Sequence, residues 1–200
     1  RFWYSDGVLT RFRNEITSGT NMGNDSTSGA AFVWLGSLGT ASPPFLFGLE
    51  DQQIHRRQGT ASWSTEVENV AASGGVSATE HKGNMYAWWT STYEYSTDGG
   101  ANWAQVSERA VYGVEFDSLL VKIDDTGVIK WTAADPADDV DDWVPLNGGI
   151  SLVPNITIQN MIVWRDSHGN PAIIIGTTRG AYILDFYNEK VYPFYLFKYT

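Results

Sequence analysis

The chain has 200 residues, of which 42% are hydrophobic and 14% aromatic, so it can form one large β domain with a sizeable core. It contains no cysteine, which excludes disulfides, Cys-ligated zinc and thiol catalysis. The formal net charge of −10 argues against non-specific binding to nucleic acid. No apolar run approaches the length of a membrane span, and we therefore expect none.

Residues 1–28 form the first predicted unit. The run RFWYSDGVLTRFRNEI predicts one hairpin, and TSGTNMGNDSTSG predicts an exposed loop. The chain begins with Arg1 rather than Met, and we expect it to be part of something longer. We expect the main β domain to cover residues 29–200.

Short β-rich runs separated by Gly, Asn, Asp and Ser clusters cover the rest of the chain, and none of it has a convincing helical period. Predicted strands cover 31–35, 44–49, 84–90, 93–96, 111–116, 119–123, 128–132, 156–164, 172–177, 181–186 and 190–197. This pattern is typical of β-sandwiches, barrels and propellers.

A weak repeat distinguishes among these folds. Phe-Leu-Phe-Gly at 45–48 is followed by Trp63, eighteen residues after Phe45. Met-Tyr-Ala-Trp at 85–88 is followed by Trp103, again eighteen residues after its first residue. The two tryptophans are forty residues apart, which is a normal length for one propeller blade.

Two further units resemble these. LLVKIDDTGVIKW has a strand, a turn, a strand and then Trp131, and predicts a degenerate hairpin of the same kind. The fourth unit has an apolar strand ending in Gly-Thr and then Gly-x-Tyr-x-x-Asp, another common blade pattern. Its matching residues are Ile173 to Gly176, Gly180, Tyr182 and Asp185, and the next hairpin has Tyr192 where earlier units have Trp.

The segment 96–103 is the most informative motif. Ser96, Asp98, Gly100 and Trp103 match the pattern S-x-D-x-G-x-x-W between strand-like runs at 93–95 and 104–106. Asp98 can accept hydrogen bonds from backbone N–H groups across a tight turn, and Gly99 and Gly100 can adopt the positive φ that such a turn needs. Trp103 can fold its indole back over the loop.

This segment resembles the Asp-box (BNR repeat), the hairpin motif of sialidases, sortilin-type receptors and many bacterial surface propellers. The resemblance implies a β-propeller in which the motif lies on the rim and has no part in catalysis. We therefore predict an all-β fold, a β-propeller or partial propeller of about four blades, with a β-sandwich or jelly roll as the alternative. Because four-bladed propellers are uncommon, we expect partner proteins or further blades of the same assembly to cover the open edges.

Two adjacent tryptophans are candidates for a binding surface. Trp88 and Trp89 follow each other in a predicted strand, so one is expected to face the core and the other the surface. An exposed indole could stack on a sugar ring or contact a protein partner. The sequence thus offers a glycan or partner site at these two positions.

The acidic run at 135–142 is the second distinctive segment. Asp138, Asp139, Asp141 and Asp142 could bind Ca²⁺ through oxygen ligands, although no EF-hand spacing occurs. The alternative is a solvated loop or helical turn that links the strand ending near Trp131 to Trp143. Apart from this calcium site, we expect no cofactor.

No catalytic constellation is recognisable in the sequence. The Arg-Ile-Pro signature of sialidases is missing, and the eight arginines are spread without a recognisable spacing. A glycosidase needs only two carboxylates beside a sugar cleft, which 23 acidic residues could supply. We therefore assign no catalytic residue.

Three classes of function remain. The first is a non-catalytic β-propeller scaffold and recognition module of an extracellular or virion protein, such as a phage tail or capsid-associated component. Cysteine-free, Gly/Thr/Ser-rich and aromatic-rich β proteins are usual there, which is an argument by association. The alternatives are a carbohydrate-active enzyme domain, sialidase-like or another glycosidase, and a receptor-type propeller that binds protein.

Overall fold

The computed structural model describes residues 34–39, 45–49, 53–58, 64–68, 76–90, 92–146, 157–165 and 169–194. These ranges contain sixteen strands and a 3₁₀ turn at Val140–Asp142. No described helix is long and apolar enough to cross a bilayer. The hairpin and loop predicted for 1–28, the boundary at residue 29 and Trp63 lie outside the described residues.

The strands form four antiparallel sheets, each built from four consecutive strands in chain order. Sheet 1 contains β1 (Trp34–Leu38), β2 (Phe45–Leu49), β3 (Gln53–Gln58) and β4 (Ser64–Glu68). Sheet 2 contains β5 (Ser77–His81), β6 (Asn84–Trp88), β7 (Tyr93–Ser96) and β8 (Ala104–Val106). Sheet 3 contains β9 (Tyr112–Phe116), β10 (Leu119–Ile123), β11 (Ile129–Thr132) and β12 (Val144–Pro145). Sheet 4 contains β13 (Ile158–Arg165), β14 (Pro171–Thr177), β15 (Gly180–Asp185) and β16 (Lys190–Phe194).

The first strands of the four sheets lie side by side. β1 contacts β5, β5 contacts β9, and β9 contacts β13. Four-stranded meanders arranged around their first strands are the blades of a β-propeller. The predicted all-β propeller or partial propeller of about four blades is thus confirmed. The sandwich or jelly-roll alternative is wrong, because each described sheet is a simple meander with no strand exchanged between sheets.

The core lies between successive sheets. Apolar side chains fill each gap. The gap between sheets 1 and 2 contains Phe47, Leu49, Ile54, Met85 and Trp89. The gap between sheets 2 and 3 contains Tyr86, Trp88, Tyr93, Leu120 and Trp143. The gap between sheets 3 and 4 contains Val121, Ile123, Ile173, Ile175 and Leu184. Because sheet 2 is covered on both faces, all five residues of β6 are buried.

Candidate functional site

The 96–103 loop connects β7 to β8 and is held by its own side chains. The Asp98 carboxylate accepts hydrogen bonds from the backbone N–H groups of Ala101 (3.0 Å) and Asn102 (2.9 Å). The Ser96 hydroxyl donates to Asp98 (2.8 Å) and accepts from the Gly100 N–H (2.9 Å). The hydrogen bonds predicted for Asp98 are therefore present, and this carboxylate serves the turn.

The same loop packs against sheet 1. Trp103 donates from its indole N–H to the Gly100 carbonyl (3.0 Å), and its ring meets Phe47 edge-on with centroids 6.3 Å apart. Arg56 of β3 donates to the Gly99 carbonyl (2.9 Å). Gly100 has φ +80°, and a Cβ there would overlap the Phe47 ring. The loop thus joins sheet 2 to sheet 1.

Asp98→Ala is expected to lower the free energy of unfolding by about 1–2 kcal/mol at neutral pH, because it removes these turn hydrogen bonds. Hydrogen bonds from Asn102 lower the pKa of Asp98 from 3.8 to about 2. Since the folded pKa is depressed, this contribution is present above the unfolded pKa and is lost as the pH falls through the folded one. Urea denaturation should therefore show a smaller difference between wild type and variant at pH of about 2. Thr97→Ala, an exposed neighbour, is the control.

The 133–143 segment takes the corresponding place in sheet 3, between β11 and β12. Trp143 directly precedes β12, as Trp103 directly precedes β8. Its indole N–H donates to the Tyr93 hydroxyl (3.0 Å), so this segment packs against sheet 2. The prediction that Trp131 is the counterpart of Trp103 is wrong. Trp131 lies within β11, and the turn before it joins the second and third strands of sheet 3.

The acidic carboxylates of this segment hydrogen-bond to their own backbone. Asp139 accepts from the Asp141 N–H (3.1 Å), and Asp142 accepts from the N–H groups of Asp138 (3.0 Å) and Asp139 (2.9 Å). Together they cap the 3₁₀ turn at Val140–Asp142, which fits the predicted helical turn. Among the described residues, no three His, Cys, Asp or Glu side chains come together as metal ligands. Calcium binding at Asp138, Asp139, Asp141 and Asp142 stays a prediction.

The expectation that Trp88 or Trp89 is a surface aromatic is wrong. Both side chains are 0% exposed, because β6 lies between two sheets and each indole enters one of the two gaps. The Trp88 N–H donates to the Thr79 hydroxyl (3.1 Å), and the Trp89 N–H donates to the Glu94 carboxylate (3.2 Å). Both residues stabilise the core and are unavailable as sugar platforms.

A buried ion cluster lies between sheets 2 and 3. The Glu108 carboxylate is 2.6 Å from the Lys122 ammonium and 2.7 Å from that of Lys130. Lys122 is 1% exposed, donates to the Arg109 carbonyl and lies 4.8 Å from the centroid of the Trp143 ring. Burial lowers the pKa of Lys122 to about 8, although the Glu108 hydrogen bond opposes the shift. The cluster is enclosed by core residues, which indicates a structural role.

The candidate ligand site is a cavity of about 430 Å³ bordered by the first strands of all four sheets. Such strands line the centre of a propeller. The described lining residues are Trp34 of β1, Val76 to Thr79 at β5, Tyr112 to Val114 of β9 and Gln159 to Ile162 of β13. None of these side chains is acidic, basic or a histidine. The described lining therefore offers hydrogen bonds and an aromatic surface but no group for acid–base chemistry or for a carboxylate clamp.

A partly exposed apolar row lies on sheet 4, on the face that points away from sheet 3. We call this the far face of sheet 4. It includes Ile162, Ile174, Ile183 and Tyr192, which are directly opposite one another across β13, β14, β15 and β16. Ile162 is 46% exposed and Tyr192 is 47% exposed. The opposite face of the same sheet is buried against sheet 3.

Neither the cavity nor the far face of sheet 4 was predictable from the sequence. The cavity depends on β5, whose polar sequence Ser-Ala-Thr-Glu-His has no apolar alternation. The far face depends on cross-strand register, which single-sequence patterns do not give. The sequence does contain one signal for an apolar far face. β14 has three consecutive isoleucines, whose side chains point to alternate faces of the sheet, as in a strand that is covered on both faces.

No protein-family profile and no curated protein matches the sequence. Solved structures similar to this chain include YCF48 from Cyanidioschyzon merolae, at 16% identity and a TM-score of 0.49, covering 78% of this chain and 53% of that one. HIRA (residues 644–1017) is 9% identical, with a TM-score of 0.40 and coverages of 82% and 53%. The extracellular domain of BT4673 from B. thetaiotaomicron is 7% identical, with a TM-score of 0.43 and coverages of 78% and 27%. The chain thus spans about half the length of the first two and about a quarter of the third, and the fold assignment above rests on the sheet topology.

Proposed function

We propose that this chain is a non-catalytic β-propeller scaffold and recognition module that binds a partner protein through the far face of sheet 4. The observation that supports this is the row of Ile162, Ile174, Ile183 and Tyr192, over which no described sheet packs. The partner we propose presents a β-sheet with an apolar face, because that is what covers every equivalent row in this chain.

The other three sheets have an apolar cross-strand row at the same place, facing the next sheet. Each row starts on the first or second strand of its sheet and crosses the next strands in register. The rows are Trp34, Leu49 and Ile54 in sheet 1, Trp88, Tyr93 and Val106 in sheet 2, and Val114, Val121 and Trp131 in sheet 3. Each of these rows packs into an inter-sheet core. By the same pattern, the row on sheet 4 is suited to a further sheet.

The composition of the row favours a sheet over a charged or polar ligand. Three aliphatic side chains and one tyrosine lie in register, and neighbouring positions on this face include Ala172, Ala181 and Phe194. Apolar faces of this kind are covered by apolar partners, since burial contributes roughly 25 cal/mol per Å². A tyrosine at the edge of such a surface is also a common contact residue in protein interfaces.

We further propose that the 96–103 loop is an Asp-box and that the module belongs to an extracellular or virion protein. The hydrogen bonds of Asp98 and Ser96 and the position of Trp103 support the first statement. The cysteine-free, Gly-, Ser- and Thr-rich composition supports the second. Recovery of the chain in fixed copy number from purified virions or from the medium would support this location, whereas recovery only from the cell interior would contradict it.

The docking proposal can be tested with Ile183→Glu and Tyr192→Asp, and with Val140→Glu as the matched control at an exposed position on a rim turn. Proteins retained by the immobilised wild-type chain are identified and purified. Each is then titrated by calorimetry against the wild-type chain and against each of the three variants. We expect Ile183→Glu and Tyr192→Asp to weaken binding by about 100-fold, because each places a charge in an apolar interface. We expect Val140→Glu to bind as the wild type does.

Hydrogen exchange with the purified partner bound should protect the amides of β14, β15 and β16. Equal binding by wild type and both far-face variants would show that the partner docks elsewhere. Sedimentation equilibrium of the chain alone distinguishes a second copy. If the mass doubles and Ile183→Glu restores the monomer, the occupant is another copy and the proposal of a different partner is wrong.

A further inference from the structure

We propose that the cavity bordered by β1, β5, β9 and β13 binds a small neutral carbohydrate of one or two sugar rings. This goes beyond the proposed docking of a protein on sheet 4. The volume of about 430 Å³ lies within the range of about 300–1,000 Å³ that small-molecule sites span. Four features of the lining support this ligand.

Gln159 is placed at the cavity by a β-bulge. In the pairing of β13 with β14, Ile158 is opposite Thr177 and Asn160 is opposite Gly176, so Gln159 is the additional residue. Bulges are enriched at functional sites because they re-aim a side chain. The side chain of Gln159 is exposed and its amide has no hydrogen-bond partner among the described residues, while its backbone carbonyl accepts from the Tyr112 hydroxyl. A free amide therefore borders the cavity.

Ser77 provides a second unused group. Its Oγ is buried and has no hydrogen-bond partner in the described part of the chain. Two strand positions away, the Thr79 hydroxyl is fully used, because it accepts from the Trp88 indole (3.1 Å) and donates to the Gly113 carbonyl (2.5 Å). A buried hydroxyl without a partner is costly, and rotation about χ1 of Ser77 would bring the hydroxyl to a ligand hydroxyl in the cavity.

Trp34 gives the cavity an aromatic surface. Its indole lies across Gly36, where a Cβ would overlap the ring, so only glycine allows this position. Trp34 also packs against the core between sheets 1 and 2, which fixes the indole. Indole surfaces contact the C–H faces of sugar rings through apolar and π contacts.

The described lining is neutral, and this sets the class of ligand. The Ser77 hydroxyl and the side-chain amides of Gln159 and Asn160 can both donate and accept hydrogen bonds, as sugar hydroxyls do. The described lining contains no lysine or arginine to pair with a carboxylate or phosphate, and the net charge of −10 further disfavours anions. Neutral sugars therefore fit better than sialic or uronic acids.

The test is a calorimetric and saturation-transfer NMR titration of the chain with neutral mono- and disaccharides, with sialic acid and glucuronic acid as charged comparators. We expect at least one neutral sugar to bind with a dissociation constant on the order of 1 mM. Gln159→Ala and Ser77→Ala should weaken it about tenfold each. Gln105→Ala, an exposed glutamine on the outer strand β8, is the matched control and should leave binding unchanged.

Absence of binding by every neutral sugar up to about 20 mM would overturn the proposal. So would tighter binding of an acidic sugar, or equal weakening by Gln105→Ala. Loss of sugar binding in Ile183→Glu is not expected, because Ile183 does not line the cavity. The two sites share Ile162, but the Ile183→Glu variant changes the far face alone, so sugar binding and docking can be tested separately.

Discussion

Gly100→Ala is expected to lower the free energy of unfolding by about 2–4 kcal/mol, measured by chemical denaturation. The backbone at Gly100 has φ +80°, which costs an alanine about 1 kcal/mol. The new Cβ would also overlap the ring of Phe47, and displacing a side chain that is 1% exposed costs about 1–3 kcal/mol more. The second cost arises because the loop of sheet 2 packs directly on sheet 1.

Gly99→Ala separates these two costs. Gly99 has φ +73°, so it shares the backbone penalty, but nothing lies within 4 Å of the position of a Cβ. We therefore expect a loss of only about 1 kcal/mol. Equal losses in the two variants would contradict the close packing of the loop against Phe47.

The turn chemistry of this loop was predictable because its causes are local. Asp98, Ser96 and the two glycines act within a few residues of one another, and the structure has the hydrogen bonds and positive φ angles that these residue types favour. The same reasoning predicted most of the apolar strands, such as β10 and β14, from their β-branched residues.

Strands without an apolar pattern were not predicted. These strands are β3, β4, β5 and β12, whose sequences are polar or very short. β5 borders the cavity, so Ser77 and Thr79 need not be apolar, and the strand is held by pairing with β6. Local patterns do not contain this information, because the reason for polar residues in β5 is the position of the other three sheets.

The connection between the third and fourth strands joins each sheet to the preceding one. The 96–103 loop packs on Phe47 of sheet 1, and the 133–143 segment packs on Tyr93 of sheet 2. In sheet 4, the turn after β15 places the ring centroid of Phe186 5.3 Å from that of Phe116 in sheet 3. The three connections differ in sequence, so the repeat is weak in sequence although the packing recurs. Only long-range contacts identify Trp143 as the counterpart of Trp103.

Glu108→Ala is expected to lower the free energy of unfolding by about 1–3 kcal/mol at pH of about 7, because it removes the carboxylate that pairs with the buried Lys122 and with Lys130. In the variant the pKa of Lys122 falls further below the unfolded value of 10.5. Between this lower pKa and the wild-type value of about 8, Lys122 of the folded variant has released a proton that the folded wild type still binds, so the stability of the variant rises with pH over a range in which that of the wild type does not. Denaturation at pH of about 9.5 should therefore show a smaller difference between wild type and variant than at neutral pH.

Asp125→Ala is the matched control, since it also removes a carboxylate from an ion pair. Asp125 pairs with Arg109 at 2.7 Å, but the two side chains are 40% and 59% exposed. Water screens this pair, and its loss should cost no more than about 1 kcal/mol with little change between the two pH values. If Glu108→Ala were equally mild, or if its defect did not shrink at high pH, Lys122 would not be the charged group that Glu108 stabilises. The large effect is expected because burial makes the partner of Lys122 indispensable, whereas the exposed Arg109 can replace its partner with water.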